Sequence, residues 1–227
     1  MNEHTSKKFD AELEGIRTRV LQMGGMVELQ IVKAMEGLGG GDLLLIDQVI
    51  ENDNRVNLLE IELDEACNQV IAKRQPTAVD LRMVSTVQKT ITDLERIGDE
   101  AKKIAKGVRR IYEAGHLPSQ YGIGIRHLAE AALNLVRQSL DAFARLDVPL
   151  AQEVIKADSD VDTEFKSIIR QLITHMMEDP RTITTSIEII SIARAIERIG
   201  DHAKNVAEQV VFIVEGRDIR HIKEKAQ

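Results

Sequence analysis

The chain contains an internal repeat. The segment ERIGDEAKKIAK at 95–106 matches ERIGDHAKNVAE at 197–208 in eight of twelve positions, at an offset of 102 residues. A second block, VIENDNRV at 49–56, matches VIKADSDV at 154–161 in four of eight positions, at an offset of 105 residues. Because the two blocks recur in the same order, the sequence predicts a tandem duplication of one structural unit.

The repeated unit has the apolar spacing of long helices. In the last long segment, apolar residues recur in alternating steps of three and four, which is the pattern of a helix with one buried stripe. The four prolines and the glycine run at 39–41 fall between such segments, where they end helices. The stripe of the last segment consists of Ile189, Ile192, Ile196, Ile199, Ala203, Val206, Val210 and Ile213. The predicted helices span 5–38, 42–74, 77–113, 120–146, 149–178 and 181–215.

Three amphipathic helices joined by short turns pack as a bundle, so the repeat predicts two bundles. Only 3% of residues are aromatic, so the 43% hydrophobic content is largely aliphatic, which suits packed helices better than a β-sandwich. We therefore expect an all-α fold of two tandem three-helix bundles. The predicted domains are 1–115 and 116–227, with the junction at 114–119.

Charge and cysteine usage exclude several classes of protein. A formal net charge of −7 gives no general attraction to nucleic acid. The single thiol, Cys67, cannot form an internal disulfide and is expected to be buried in the core in a reducing compartment. The N-terminal residues do not have the pattern of a secretory signal, and no apolar run reaches the ~18–20 residues of a membrane span. We expect a cytoplasmic protein that does not insert into the membrane.

Acidic side chains recur at i, i+4 spacing in both repeats, which places the members of each pair one helical turn apart on one face. For the pairs of the third and last helices, the phase of the apolar stripe predicts that this face points towards solvent. The pairs are Glu95 with Asp99, Glu197 with Asp201, and Asp158 with Asp162, while Asp53 is paired with Asn57.

Distances from the turns predict that these pairs meet. Asp158 and Asp162 lie 22 and 18 residues before Pro180, and Glu197 and Asp201 lie 17 and 21 residues after it. Antiparallel neighbours bring such residues to one level, and the first repeat has a matching arrangement around residue 76. Each bundle is therefore expected to gather its acids.

Clustered carboxylates repel one another, and a bound cation would reverse the sign of that interaction. Oxygen ligands suit Mg²⁺, Mn²⁺ or Ca²⁺, whereas iron or zinc normally also recruits a histidine such as His202. The alternative is a solvated helix face without a metal.

Catalytic motifs are missing from the sequence. It has no phosphate-binding GxxxxGK[ST] loop, no HExxH, no CxxC and no GxSxG. The one Glu-x-x-His, from Glu113 to His116, is interrupted by Gly115, which ends the helix. The alternatives to a regulatory protein are a carboxylate-metal enzyme, such as a metal-dependent phosphatase, and a purely structural helical scaffold.

Four blocks, with their order and duplication, carry a resemblance to one family. They are LERIGDEAKKIA at 94–105, ERIGDHAKN at 197–205, RQPTAVDLR at 74–82 and MEDPR at 177–181. Over nearly its whole length, the sequence resembles the PhoU family of bacterial phosphate-transport accessory proteins.

The resemblance implies a cytoplasmic, frequently homodimeric protein that negatively regulates phosphate uptake and the phosphate-starvation response. It implies no reaction, so the chain is not expected to be an enzyme. The implied partners are the ATPase subunit of the phosphate ABC transporter and a membrane sensor histidine kinase, between which the protein would act as an adaptor in signal transduction.

The resemblance also implies metal binding through paired E(D)xxxD motifs, with Mg, Mn, Fe (including multinuclear iron) or Zn as candidate ions. Carried over to this chain, the motifs fall on Glu95 with Asp99, Glu197 with Asp201, and Asp158 with Asp162, and Asp53 also matches. Asn57 stands where the pattern has a carboxylate, and only the second repeat adds His202 and Asn205 as potential ligands. The second site is therefore expected to bind more strongly.

Overall fold

The structure is a computed structural model that describes residues 3–115 and 119–220, with side chains described for 9–115 and 122–220. It confirms the all-α prediction, and the helix bounds lie within a few residues of those predicted. A single 3₁₀ turn, Pro180–Thr182, separates the last two helices. The helices are α1 (Glu3–Gly40), α2 (Leu43–Arg74), α3 (Ala78–Glu113), α4 (Ser119–Arg145), α5 (Val148–Glu178) and α6 (Ile183–Glu215).

Local interactions fix the turn between α1 and α2 where the sequence predicts it. Asp42 caps α2, because its carboxylate accepts hydrogen bonds from the backbone N–H groups of Leu44 and Leu45. Gly41 before it has a φ of 69°, and a Cβ there would lie 2.7 Å from the ring of Tyr112. This turn therefore requires glycine both for its backbone conformation and for space.

The first three helices pack on one another, and so do the last three. The most extensive helix contact joins α3 to α6, and α1 also contacts α4, so the two bundles share one continuous aliphatic core. Every residue of the predicted α6 stripe is buried. The domain boundary at 115 and 116 stays a prediction, since residues 116–118 lie outside the described residues.

Two further expectations concern burial and the membrane. Cys67 is fully buried, and burial followed by the nearby charge of Asp64 raises the pKa of its thiol to about 12. Within the described parts of the chain, no helix combines the length and apolar content that crossing a bilayer requires.

Candidate functional site: a carboxylate cluster in each bundle

The acids of α2 and α5 lie inside the protein. Asp53 is 0% exposed and Asp158 is 5% exposed. Asp53 lies between the buried Val49 and Val56 in the apolar row of α2, and Asp158 occupies the equivalent place in α5. The apolar rows of α2 and α5 therefore place these two acids on the packed face of their helices.

The acids of α3 and α6 border these buried groups. The side chains of Glu95 and Glu197 are only 14% and 15% exposed, so the prediction that they face solvent is wrong for these two. The side chains of Asp99 and Asp162 are 30% and 41% exposed, and Asp201 is also exposed to solvent. Each cluster therefore runs from a buried aspartate out to the protein surface.

The acids of each bundle lie near enough to one another for their negative charges to raise the pKa of a neighbouring carboxyl group. Burial is the largest cause of a raised pKa at Glu95. The negative charge of Asp99 is the next cause, and that of Asp53 also contributes. In the second bundle, burial and then Asp201 raise the pKa of Glu197, to which Asp162 also contributes.

Asp201 behaves in the same way. Partial desolvation of its carboxyl group, and then the negative charges of Asp158 and Asp162, raise its pKa. The two helices that the turn at Pro180 connects therefore present their acids at one level. The acids, predicted from spacing alone to gather, do come together.

A lysine pairs with the buried acid of each cluster. Lys102 Nζ donates a hydrogen bond to Asp53 Oδ2 at 2.7 Å, and Lys204 Nζ donates one to Asp158 Oδ2 at 2.9 Å. In both lysines this hydrogen bond is the largest cause of a raised pKa. The ammonium group thus compensates the acid that is least accessible to water.

The glycine of each ERIGD block faces the helix that carries the buried aspartate. A Cβ on Gly98 would lie 3.4 Å from Val56 Cγ1, and one on Gly200 would lie 3.4 Å from Val161 Cγ1. The Gly200 position is also 3.5 Å from Asp158 Oδ1. A Cβ on Gly200 would therefore make ordinary van der Waals contacts, and one on Gly98 would meet its nearest atom, Gln30 Oε1 of α1, at 3.2 Å.

Comparison with known proteins identifies the family. The model of the PhoU domain matches residues 20–108 and 125–210. The chain belongs to the PhoU family. It is 45% identical over 222 residues to the phosphate-specific transport system accessory protein PhoU of Escherichia coli (strain K12), a match that covers 98% of this chain and 91% of that protein. The PhoU homolog of Pseudomonas aeruginosa is also 45% identical, with the same coverage.

Solved PhoU structures share the fold. The crystal structure of PhoU from Pseudomonas aeruginosa matches with a TM-score of 0.89 and 44% identity, covering 92% of this chain and 100% of that one. The phosphate transport system regulatory protein PhoU from Streptococcus pneumoniae matches with a TM-score of 0.85 and 25% identity, covering 92% and 98%. The helical architecture is therefore that of the PhoU family.

The paired acidic motifs have features both for and against binding of a metal ion. In favour of binding, Asp53 Oδ1 and Asn57 Oδ1 are buried and have no hydrogen-bond partner among the residues that the structure describes. Against it, residues 3–115 and 119–220 contain no group of three or more His, Cys, Asp or Glu side chains placed to hold a metal ion. The paired lysines also occupy the other oxygen of Asp53 and one oxygen of Asp158. With the lysines in these positions the clusters do not fit a metal ion, so metal binding by this PhoU-family chain stays a prediction that requires the lysines to move.

His202 and Asn205 serve a different contact from the predicted one. His202 Nδ1 lies 2.9 Å from Asp93 Oδ1 of α3, and Asn205 Nδ2 donates to the same oxygen at 3.0 Å. These side chains connect the two bundles. On the same interface, Arg198 of α6 lies 3.3 Å from Glu100 of α3.

Sequence reasoning missed Lys102, Lys204 and Asp93. The lysines occupy the same place in both ERIGDxAK blocks, so their identity in the two repeats was the available signal. Asp93 lies outside those blocks and carried no such signal, because its partner belongs to the other bundle.

Proposed function

We propose that this chain is a negative regulator of phosphate uptake and of the phosphate-starvation response. The observation that carries the proposal is the near end-to-end match to relatives named as phosphate-specific transport system accessory proteins. The match includes both bundles in the same order, and the Streptococcus pneumoniae neighbour is titled a phosphate transport system regulatory protein.

The finer proposal is that the protein acts by binding, as a cytoplasmic adaptor between the ATPase subunit of the phosphate ABC transporter and a membrane sensor histidine kinase. The buried polar groups support a binding role, because most of the charged ones pair between helices. Asp53 and Asp158 pair with lysines, and the buried Glu100 contacts Arg198. These contacts fix the shape of the bundles and leave the outer helix faces available to partners.

The alternative, a carboxylate-metal enzyme such as a metal-dependent phosphatase, needs a metal held beside an ordered nucleophile or base. At both clusters, an ammonium group is bonded to the most buried carboxylate. This arrangement favours the regulatory proposal. Release of phosphate from p-nitrophenyl phosphate, measured with Mg²⁺ or Mn²⁺, distinguishes the two: turnover lost in Asp158→Asn would support the enzyme.

Deletion of the gene tests the regulatory role. In phosphate-rich medium, a reporter for phosphate-starvation genes should be derepressed in the deletion strain and repressed again by the wild-type chain. Transporter and sensor must be intact in both strains. Continued repression after deletion would contradict the proposal.

Binding measurements test the adaptor role. The purified chain should bind the purified ATPase subunit and the cytoplasmic part of the kinase, and both together should form a larger complex than either pair. Light scattering after size exclusion tests the proposed homodimer in the same preparation. Failure to bind either partner would contradict the adaptor role while leaving the genetic result to stand.

Metal titration tests the carboxylate prediction. Isothermal calorimetry with Mn²⁺ should resolve a stronger site that Glu197→Ala with Asp201→Ala removes. Asn57→Asp should strengthen the first site by adding one negative charge. Unchanged binding in the double alanine variant would contradict the assignment of the stronger site to the second bundle.

A further inference from the structure

The two lysines that pair with buried aspartates are equivalent in the repeat. Lys102 and Lys204 are separated by 102 residues, the offset of the ERIGD blocks, and Asp53 and Asp158 by 105 residues, the offset of the second block. The two Nζ to Oδ2 distances are 2.7 and 2.9 Å. The structure therefore contains two independent copies of one buried ion pair.

The aspartates need a counter-ion, because a buried carboxylate without one loses its hydration and gains nothing in return. The two lysine side chains remain 25% and 35% exposed, so each ammonium group reaches inward from the surface. An exposed stem lets the ammonium group leave the carboxylate without unfolding the helix that carries it.

We propose that Lys102 and Lys204 are the resident cations of the two carboxylate clusters. Each holds the position at the buried aspartate that a metal ion would otherwise take. Each buried aspartate is thus compensated in charge without metal, and a metal ion that takes this position must displace an ammonium group. The proposal concerns the metal-free protein and does not depend on the regulatory function or on metal binding.

The test compares Lys102→Met and Lys204→Met, which keep the length of the side chain and remove its charge. Lys106→Met and Lys156→Met are matched controls, since both lysines are exposed and have no paired acid in the described structure. In EDTA, each of the first two variants should melt about 6–20 °C below its control, because breaking a buried ion pair strands one charge.

A second variant keeps the test decisive if Lys102→Met fails to fold. Asp53→Asn combined with Lys102→Met removes both charges and should melt well above Lys102→Met alone. Equal melting of the lysine variants and their controls in EDTA would overturn the proposal, and so would a double variant no more stable than Lys102→Met.

Adding Mn²⁺ tests the displacement. On addition of Mn²⁺, the melting temperature should rise more in Lys204→Met than in the wild type, because the ion no longer competes with an ammonium group. An equal rise in both would overturn the displacement. A lack of response in every variant would refute metal binding and displacement together, while the EDTA comparison would still decide the charge compensation.

Discussion

Two adjacent glycines of α1 should respond differently to alanine. Both Gly24 and Gly25 lie inside the helix, where alanine is favoured over glycine by about 0.8–1 kcal/mol. A Cβ on Gly25 would have no atom within 4 Å, whereas one on Gly24 would lie 2.5 Å from Leu140 Cδ2 and 3.2 Å from Leu140 Cγ. Since Leu140 belongs to α4, the pair of variants tests the contact between the bundles.

For Gly25→Ala we expect the full helix gain, which raises the melting temperature by about 2–4 °C in a chain of this size. For Gly24→Ala the same gain is opposed by about 1–3 kcal/mol of overpacking, because Leu140 is only 8% exposed and has little room to move. The net change is a loss of about 0–2 kcal/mol, or about 0–8 °C.

Thermal melts followed by circular dichroism measure both variants, alone and with Leu140→Ala. Without the leucine side chain, Gly24→Ala should gain the stability that alanine gives a helix, and the effect of Gly25→Ala should be unchanged. A double-mutant cycle measures this coupling between positions 24 and 140. Equal shifts for the two glycine variants, or additivity of Gly24→Ala with Leu140→Ala, would refute the packing of α1 on α4.

Three other measurements check the core, the cluster and the interface. Ile199→Asp should lower the free energy of unfolding by several kcal/mol in EDTA, because it buries a charge without a partner, whereas Glu197→Ala should raise it by about 0.2–0.5 kcal/mol by relieving repulsion. Burial, reinforced by the neighbouring acids, raises the pKa of Glu197, so the folded state keeps this proton to higher pH than the unfolded chain. The contribution of Glu197 to wild-type stability should therefore fall as pH rises through its raised pKa. Urea melts at several pH values should show that the stability advantage of Glu197→Ala over the wild type grows as pH rises and vanishes at about pH 3. The Cys67 thiol, with its pKa raised to about 12, should resist a thiol reagent at about pH 8 until denaturant is added. His202→Glu should destabilise the protein by placing a second carboxylate beside Asp93, and Asp93→Asn should recover part of the loss.

The helices could be predicted because their signals are local. The spacing of Ile189 to Ile213 reports one buried face of α6, and a cap such as Asp42 acts on residues two and three positions away. Neither signal depends on what the helix packs against. The same locality explains why the bounds were predicted to within a few residues.

The burial of Asp53 was not predicted, because the helix phase was worked out only for α3 and α6. The stripe of α6 correctly placed Ile199 in the core, but it carries no information on the face that α2 turns inward. The spacing of Val49, Asp53 and Val56 held that information, since three and four residue steps place all three on one side of α2. An acid inside an apolar row is a stronger sign of a buried pair than an i, i+4 acidic pair.

The interface between the bundles could not be predicted from the repeat, since similarity between two units does not fix how they pack together.

Where the repeats differ, however, the structure shows a use for the difference. Arg198 and its equivalent Arg96 are identical residues with different partners: Arg198 contacts Glu100 of the other bundle, whereas Arg96 contacts acids of its own helix. The reason is that Glu100 is replaced by His202 in the second repeat, and His202 contacts Asp93. An identical glutamate at both places would put an acid against Asp93 and cost stability. The shared aspartates and lysines therefore build the ion pair inside each bundle, whereas the difference between Glu100 and His202 makes the contact between the bundles electrostatically complementary.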